Sequence, residues 1–270
     1  MEPLPLPGYE TIKVELEGHC LHLWLQRPSS RNAMSLQMVE ELASLFDLIE
    51  PRRDIRALLI RGAEGNFCAG GDIKDMAIAR ATAATDERDP FYELNRAFGH
   101  MITRANRLPQ VVIAVLEGAV LGGGFGLACV SDVAIAVDGV KFGLPETGLG
   151  IPPAQIAPFV VKRIGLTQAR RLMLLGSRFG AQESLALGLT HYHSSASELP
   201  GLLESMIKQV KRCAPEANAI TKSLLLASDT MEHEALLDHA ASKFAQAIRS
   251  DEGGEGTLAF IQKRPPCWAQ

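Results

Sequence analysis

Val111-Val112-Ile113-Ala114-Val115-Leu116-Glu117-Gly118-Ala119-Val120-Leu121-Gly122-Gly123-Gly124-Phe125-Gly126-Leu127-Ala128-Cys129-Val130 is a long, nearly unbroken apolar run. Its length suits a membrane span. Glu117 and five glycines interrupt it, however, and Ser131-Asp132 follow directly. A buried strand over 111–116 that feeds a glycine-rich turn and a buried helix over 122–130 accounts for both facts. Strands this apolar must be covered on both faces, which points to an α/β protein.

Working outward, residues 11–16 and 20–25 read as paired strands around a turn at Glu17-Gly18. Ser35 caps a helix to about Glu50, with Met38, Leu42, Leu45, Phe46 and Ile49 at helical spacing and Pro51 as the stop. Residues 55–60 form a compact apolar strand, followed by a loop over 62–71. The Ala-, Thr- and Asp-rich stretch 77–89 offers little to a core and is expected to be a mobile surface segment. A helix over 91–108 ends at Pro109, and 133–137 is a further strand. From about Leu199 the pattern is almost wholly helical, over 199–212, 215–227, 233–248 and 255–263. The chain thus divides into a core, 1–198, and a helical region, 199–270.

With 270 residues, 47% hydrophobic and 21% charged, the chain is large enough to bury a full core. The net charge is −4 and no basic block occurs, so neither nucleic acid nor membrane is expected as a partner. Five scattered cysteines without a CxxC pair read as reduced thiols in a cytoplasmic protein. Residues 1–10 are proline-rich and lack the pattern of a signal peptide; they read as a loose, extended tail. Gly122 to Leu127 fails the GxGxxG dinucleotide pattern, and no Gly-x-Ser-x-Gly elbow occurs. His191-x-His193 is the only close histidine pair; it reads as a strand edge, and no metal site is expected.

Two glycine-rich segments and one acid carry the chemistry: Phe67-Cys68-Ala69-Gly70-Gly71-Asp72, Leu121-Gly122-Gly123-Gly124-Phe125-Gly126, and Glu146 within Phe142-Gly143-Leu144-Pro145-Glu146. Glycines let a backbone approach a ligand and aim N–H groups at it. Two N–H groups on one carbonyl oxygen form an oxyanion hole, and a carboxyl group beside it moves protons. Such a set suits enolate chemistry on a thioester. Cys68 lies in the first segment and reads as small buried filler rather than as a nucleophile.

These segments, with Arg27-Pro28…Asn32-Ala33-Met34, Gly118-x-x-Leu121-Gly122-Gly123-Gly124 and Phe142-Gly143-x-Pro145-Glu146, resemble the crotonase (enoyl-CoA hydratase/isomerase) superfamily in order and spacing over almost the whole chain. The resemblance implies a spiral of repeated ββα units, with C-terminal helices that assemble a homotrimer or a hexamer of paired trimers. It implies backbone donors at Gly71 and Gly123, proton transfer by Glu146, and no cofactor, since the CoA thioester is the substrate. It implies acyl-CoA contacts at Arg31, Ala33, Ala69 and Lys74, and at Phe260 and Lys263 from a neighbouring subunit. Asp72 would brace its loop.

The chain departs from typical hydratases at Gly126, where they carry a first glutamate. The vacated space is expected to accept a branch at C3 of the acyl chain. The run from Gly150 to Phe159 is similar to bacterial hydratases of branched glutaconyl-CoA thioesters, such as 3-methylglutaconyl-CoA and isohexenylglutaconyl-CoA. Gln155 in that run is either a contact for water or a substrate carboxylate, or a packed residue at a helix start. The expected activity is therefore hydration of a branched 2-enoyl-CoA. A Δ3,Δ2-enoyl-CoA isomerase, which runs on one carboxyl group, is the rival, and a non-catalytic RNA- or acyl-CoA-binding protein is a more distant one.

Overall fold

The computed structural model describes residues 4–85 and 89–269. Strands β1 (Ile12–Glu17), β2 (Cys20–Leu25), β3 (Ala57–Gly62), β4 (Val111–Leu116), β6 (Val133–Val137) and β9 (Tyr192–Ser194) form one sheet in that order. Only the β1–β2 pair is antiparallel. Its interior strands alternate between two cores. Leu58, Ile60, Val112, Ala114, Leu116, Ala134 and Ala136 face the main core, whereas Ala57, Leu59, Ile113, Val115, Ile135 and Val137 face a second one. Successive side chains of a strand point to opposite faces, so covering both faces requires the unbroken apolar runs seen in the sequence.

A second, smaller sheet joins β5 (Ala119–Leu121), β7 (Lys141–Gly143) and β8 (Arg178–Phe179). Single bridges extend this pattern, Cys68 pairing with Val120 and Met34 with Gly71. Each turn of the chain thus gives a long strand to the large sheet, a short strand or bridge to the small one, and then a helix. β2, Met34 and α1 (Leu36–Ile49) make the first turn. β3, Cys68–Gly71 and the helices α2 (Ile73–Ala81) and α3 (Pro90–Arg107) make the second. β4, β5 and α4 (Gly123–Val130) make the third, and β6, β7 and α5 (Ala157–Leu175) the fourth. The expected ββα spiral is the fold observed.

The short α6 (Ala181–Ala186) leads into β9, and four helices follow: α7 (Leu199–Arg212), α8 (Pro215–Ala227), α9 (His233–Arg249) and α10 (Asp251–Ile261). α7 covers the outer face of the large sheet through Leu199, Leu203 and Met206. α8 is tied to the sheet by Lys222, which donates to the Gln110 carbonyl and pairs with Asp132.

Several expectations shift. Residues 77–81 belong to α2 rather than to a mobile segment, while 86–88 lie outside the described residues. The cause is a cap: the Asp72 carboxylate accepts the Lys74 N–H at 2.8 Å and starts a helix whose only buried residue is Ala79. The tail is less loose than expected, because Leu4 and Tyr9 pack against the main core; residues 1–3 lie outside the described residues. The last helix starts at Asp251 rather than Glu255, since Ser250 accepts the Gly253 N–H and carries the helix through Gly253-Gly254. Helix α1 matches its expectation, with the Ser35 hydroxyl accepting the Met38 N–H.

Candidate active site

Three segments converge where the small sheet meets the N-terminus of α4. Cys68 runs beside Val120, its N–H donating to Ala119 O and its carbonyl accepting from Leu121 N–H, both at 2.9 Å. Gly70 (φ 100) and Gly122 (φ 49) have left-handed backbones that favour glycine. A Cβ on Gly122 would lie 2.8 Å from Glu146 Oε1 and 3.4 Å from the Gly70 Cα, so the two loops and the acid are in contact.

The Met34 N–H donates to Gly70 O at 2.8 Å, and the Asp72 N–H donates to Met34 O at 3.0 Å. In this parallel bridge the intervening Gly71 N–H faces away from Met34, and among the described residues it has no acceptor. Gly123 is the first residue of α4, where an N–H has no intrahelical acceptor and stands at the positive end of the helix dipole. Gly71 is exposed and Gly123 half-buried, so neither is sealed in the core.

Glu146 opens a short 3₁₀ turn, Glu146–Leu149, directly after β7. Thr147 anchors that turn by donating to Met173 O at 2.9 Å. Phe142, in β7, stacks on Phe179 with ring centres 5.3 Å apart, and both rings meet Phe125 edge-on. The Oε2 of Glu146 is buried and has no hydrogen-bond partner among the described residues. Burial pushes the Glu146 carboxyl above the ordinary glutamate range, as desolvation disfavours the charged form.

Two braces hold these loops. The Arg27 guanidinium pairs with Asp72 at 2.6 Å and donates to the Ala33 carbonyl. Asn32 is fully buried with a left-handed backbone. Its Oδ1 accepts the Arg27 N–H at 2.8 Å, and its Nδ2 donates to Ala63 O and Asn66 O. The sequence placed Asn32 in a family motif without giving it a role; a polar residue just before the apolar helix α1 was the available signal. The Ala69 N–H donates to Arg31 O at 3.0 Å, which places Arg31, Ala33 and Ala69 along one edge. Lys74 is exposed on the first turn of α2.

Phe260 and Lys263 are not brought to this place. Phe260 is 85% exposed near the end of α10, a helix that packs on α9. That agrees with a contribution made only to a neighbouring subunit's site; Gly126, by contrast, departs from expectation. It is buried, and a Cβ there would lie 2.5 Å from Ile156 Cγ2 and 2.9 Å from Ile102 Cδ1. The space expected to be open is filled by two isoleucines, so it offers no room for a substrate branch, and a glutamate at 126 would overpack the core. Gln155, next to Ile156, bonds to α3: its Oε1 accepts from Arg96 at 2.7 Å, and its Nε2 donates to Asn95 at 2.9 Å. Sequence reasoning missed Arg96, because α3 and residue 155 are far apart in the chain.

Cys68 is fully buried, which pushes its thiol up to about 11; a thiol so raised is not a nucleophile at neutral pH. His191 Nδ1 accepts the Ala134 N–H, whereas His193 pairs with Asp138. The two rings, one just before and one within the edge strand β9, have separate partners, and no cluster of metal-ligating side chains occurs among the described residues. Nor, among them, is any helix long and apolar enough to cross a membrane.

The family described as enoyl-CoA hydratase/isomerase matches residues 16–270. The chain belongs to that family. Among solved structures, it is similar to Pseudomonas aeruginosa AtuE, with 58% identity, 97% of this chain and 100% of that one covered, and a TM-score of 0.94. It is equally similar to an enoyl-CoA hydratase/isomerase from Marinobacter aquaeolei, with 57% identity, 96% and 99% coverage, and a TM-score of 0.94. A probable enoyl-CoA hydratase of Bacillus subtilis is 30% identical over 87% of this chain and 90% of its own length. The protein is thus an enzyme of the crotonase superfamily, acting on acyl-CoA.

Proposed function

We propose that this enzyme adds water to a branched 2-enoyl-CoA of the glutaconyl type. The observation that carries the reading is Glu146: a carboxyl group with one oxygen buried and unpartnered, lying against the glycines whose neighbours offer free N–H groups. The N–H groups of Gly71 and Gly123 receive the thioester oxygen. The Glu146 carboxylate takes a proton from water while the water oxygen bonds to C3. The C2=C3 electrons move into the thioester, and the enolate oxygen is held by the two donors. Glu146, now protonated, returns its proton to C2. One carboxyl group therefore suffices as base and then acid. Arg31, Ala33, Ala69 and Lys74 border the CoA in this reading. Phe260 and Lys263 reach it from a neighbouring protomer of a homotrimer or hexamer, assembled through the helical region 199–270. The exposed Leu237, Phe244, Leu258 and Phe260 of α9 and α10 support such an assembly.

The branched, acidic substrate rests on the resemblance of residues 150–159 to glutaconyl-CoA hydratases. Filling of the space at Gly126 removes the earlier rationale for the branch, so the branch lodges elsewhere in the site. A panel of crotonyl-, 3-methylglutaconyl-, isohexenylglutaconyl- and 3-enoyl-CoA tests the reading. Loss of absorbance of the conjugated thioester, fastest with a glutaconyl ester, is the expected result. A gain of that absorbance from the 3-enoyl ester alone would make the protein an isomerase, the reaction a single carboxyl group also allows.

A further inference from the structure

α3 presents one face to the active-site elements. A Cβ on Gly123 would lie 3.1 Å from the Phe98 ring, and a Cβ on Gly126 would lie 2.9 Å from Ile102. Between them along the helix, Gly99 is buried directly against the Gln155 side chain. Arg96 stands one turn before Gly99, at the same spacing that joins Gly99 to Ile102. Its guanidinium therefore lies beside the entrance to α5, next to the residues that wall the N-terminus of α4.

Most arginines with described side-chain partners meet a carboxylate, as Arg27 meets Asp72, Arg61 meets Glu117 and Arg264 meets Glu255. Arg96 does not. Its partners among the described residues are the neutral Gln155 Oε1 at 2.7 Å and His100 Nε2 at a long 3.4 Å. One amino group is spent on Gln155, and among the described residues the rest of the fork meets no anion. Gln155 is itself fixed by Asn95, so the cation is oriented without being neutralised.

We propose that Arg96, positioned by Gln155, binds a carboxylate carried on the acyl part of the substrate and so selects glutaconyl-type thioesters over uncharged enoyl thioesters. The inference rests on the proposed function for its choice of substrate class. In a glutaconyl thioester the second carboxylate stands on a carbon attached to C3, a few bonds from the carbonyl that Gly71 and Gly123 would hold. A guanidinium matches that group with two parallel N–H donors, which a lysine cannot reproduce. Gln155 has a reason to be glutamine: a glutamate there would supply the missing anion internally and occupy the cation.

The test uses two pairs of thioesters. Turnover is compared on 3-methylglutaconyl-CoA and 3-methylcrotonyl-CoA, which share the branch and differ in the carboxylate. Binding is compared with the unreactive glutaryl-CoA and valeryl-CoA. The wild-type protein should bind glutaryl-CoA at least about tenfold more tightly than valeryl-CoA, the worth of a charge-assisted contact. In Arg96→Met the ratio of kcat/KM between the two enoyl esters should fall by about a hundredfold, and the binding preference should vanish. Gln155→Glu should move both ratios in the same direction with Arg96 still present, and Arg96→Lys should fall between. Ratios that stay within about threefold of wild type in Arg96→Met and Gln155→Glu would overturn the inference while leaving the hydratase reading intact. A wild-type protein that hydrates neither ester, yet loses its glutaryl-CoA preference with Arg96→Met, would overturn the hydratase reading and keep this one.

Discussion

Asp72 ends the loop that carries Gly71, and Glu146 lies against Gly122 at the head of α4, yet the two carboxylates meet different surroundings. Burial alone would raise the Asp72 carboxyl, but the Lys74 N–H and the Arg27 guanidinium outweigh it and hold Asp72 below its ordinary range. Glu146 is half-buried, its Oε2 lacks a hydrogen-bond partner among the described residues, and burial raises it. A paired carboxylate holds a loop still, whereas an unpaired, buried one is pushed above the ordinary carboxylate range and can exchange a proton. The same side-chain chemistry becomes brace or acid–base according to what is packed around it.

The largest break in this comparison should come from Glu146→Gln. It keeps size and removes the exchangeable proton, so turnover should fall about a thousandfold while affinity for a CoA ester changes little. Stopped-flow turnover with a parallel binding titration checks this, and turnover within tenfold of wild type would sink the assignment. Gly123→Val should follow, with a loss of at least about a hundredfold from one oxyanion donor. The Phe98 ring 3.1 Å from the new Cβ would turn the backbone away. An active, normally folded variant would place the hole elsewhere.

Asp72→Ala should act mainly on stability. It leaves the half-buried Arg27 without its anion and α2 without its cap, a loss of about 2 kcal/mol readable as a lower denaturant midpoint. A turnover loss as deep as that of Glu146→Gln, in a protein of normal stability, would erase the distinction between the two acids.

The finest effect is in pH, where the two carboxylates have opposite signs. Asp72 has a lowered folded pKa, so its stabilisation is present above the unfolded value and is lost as pH falls through the folded one. Glu146 has a raised folded pKa, so its neutral form suits the fold and stability drops as pH rises through that value. Thermal melts of Glu146→Gln should therefore exceed wild type at neutral pH and converge with it in acid. The rate, which needs the carboxylate, should rise with pH through a midpoint above the ordinary glutamate range. A midpoint at or below that range would contradict the burial of Oε2.

Much of this could be read along the chain because its signals are local. The interior strands β3 and β4 of the large sheet announced themselves as apolar runs, and Ser35 and Pro51 bounded α1. Helices α7 and α8 were placed to the residue by their spacing and their proline starts. α2 was missed, since its burial rests on a single alanine and its start depends on the Asp72 cap. The small sheet was missed too: β8 has two residues and β5 and β7 three each, too short for any periodicity to show.

At the site, the residue types suggested two glycine loops and one acid, because close backbone approach and proton transfer each demand a narrow choice of side chain, and the family resemblance singled out Gly71, Gly123 and Glu146 among them. The resemblance also made the missing glutamate at Gly126 plain. Its meaning was not, since an absent side chain leaves either a void or a neighbour, and only packing shows that Ile102 and Ile156 are the neighbours. Arg96 stood among ordinary arginines until Gln155, fifty-nine positions away, was brought against it. Which cations are neutralised and which carboxyl oxygens lack a donor depends on distances between remote segments, and those are set by the tertiary fold.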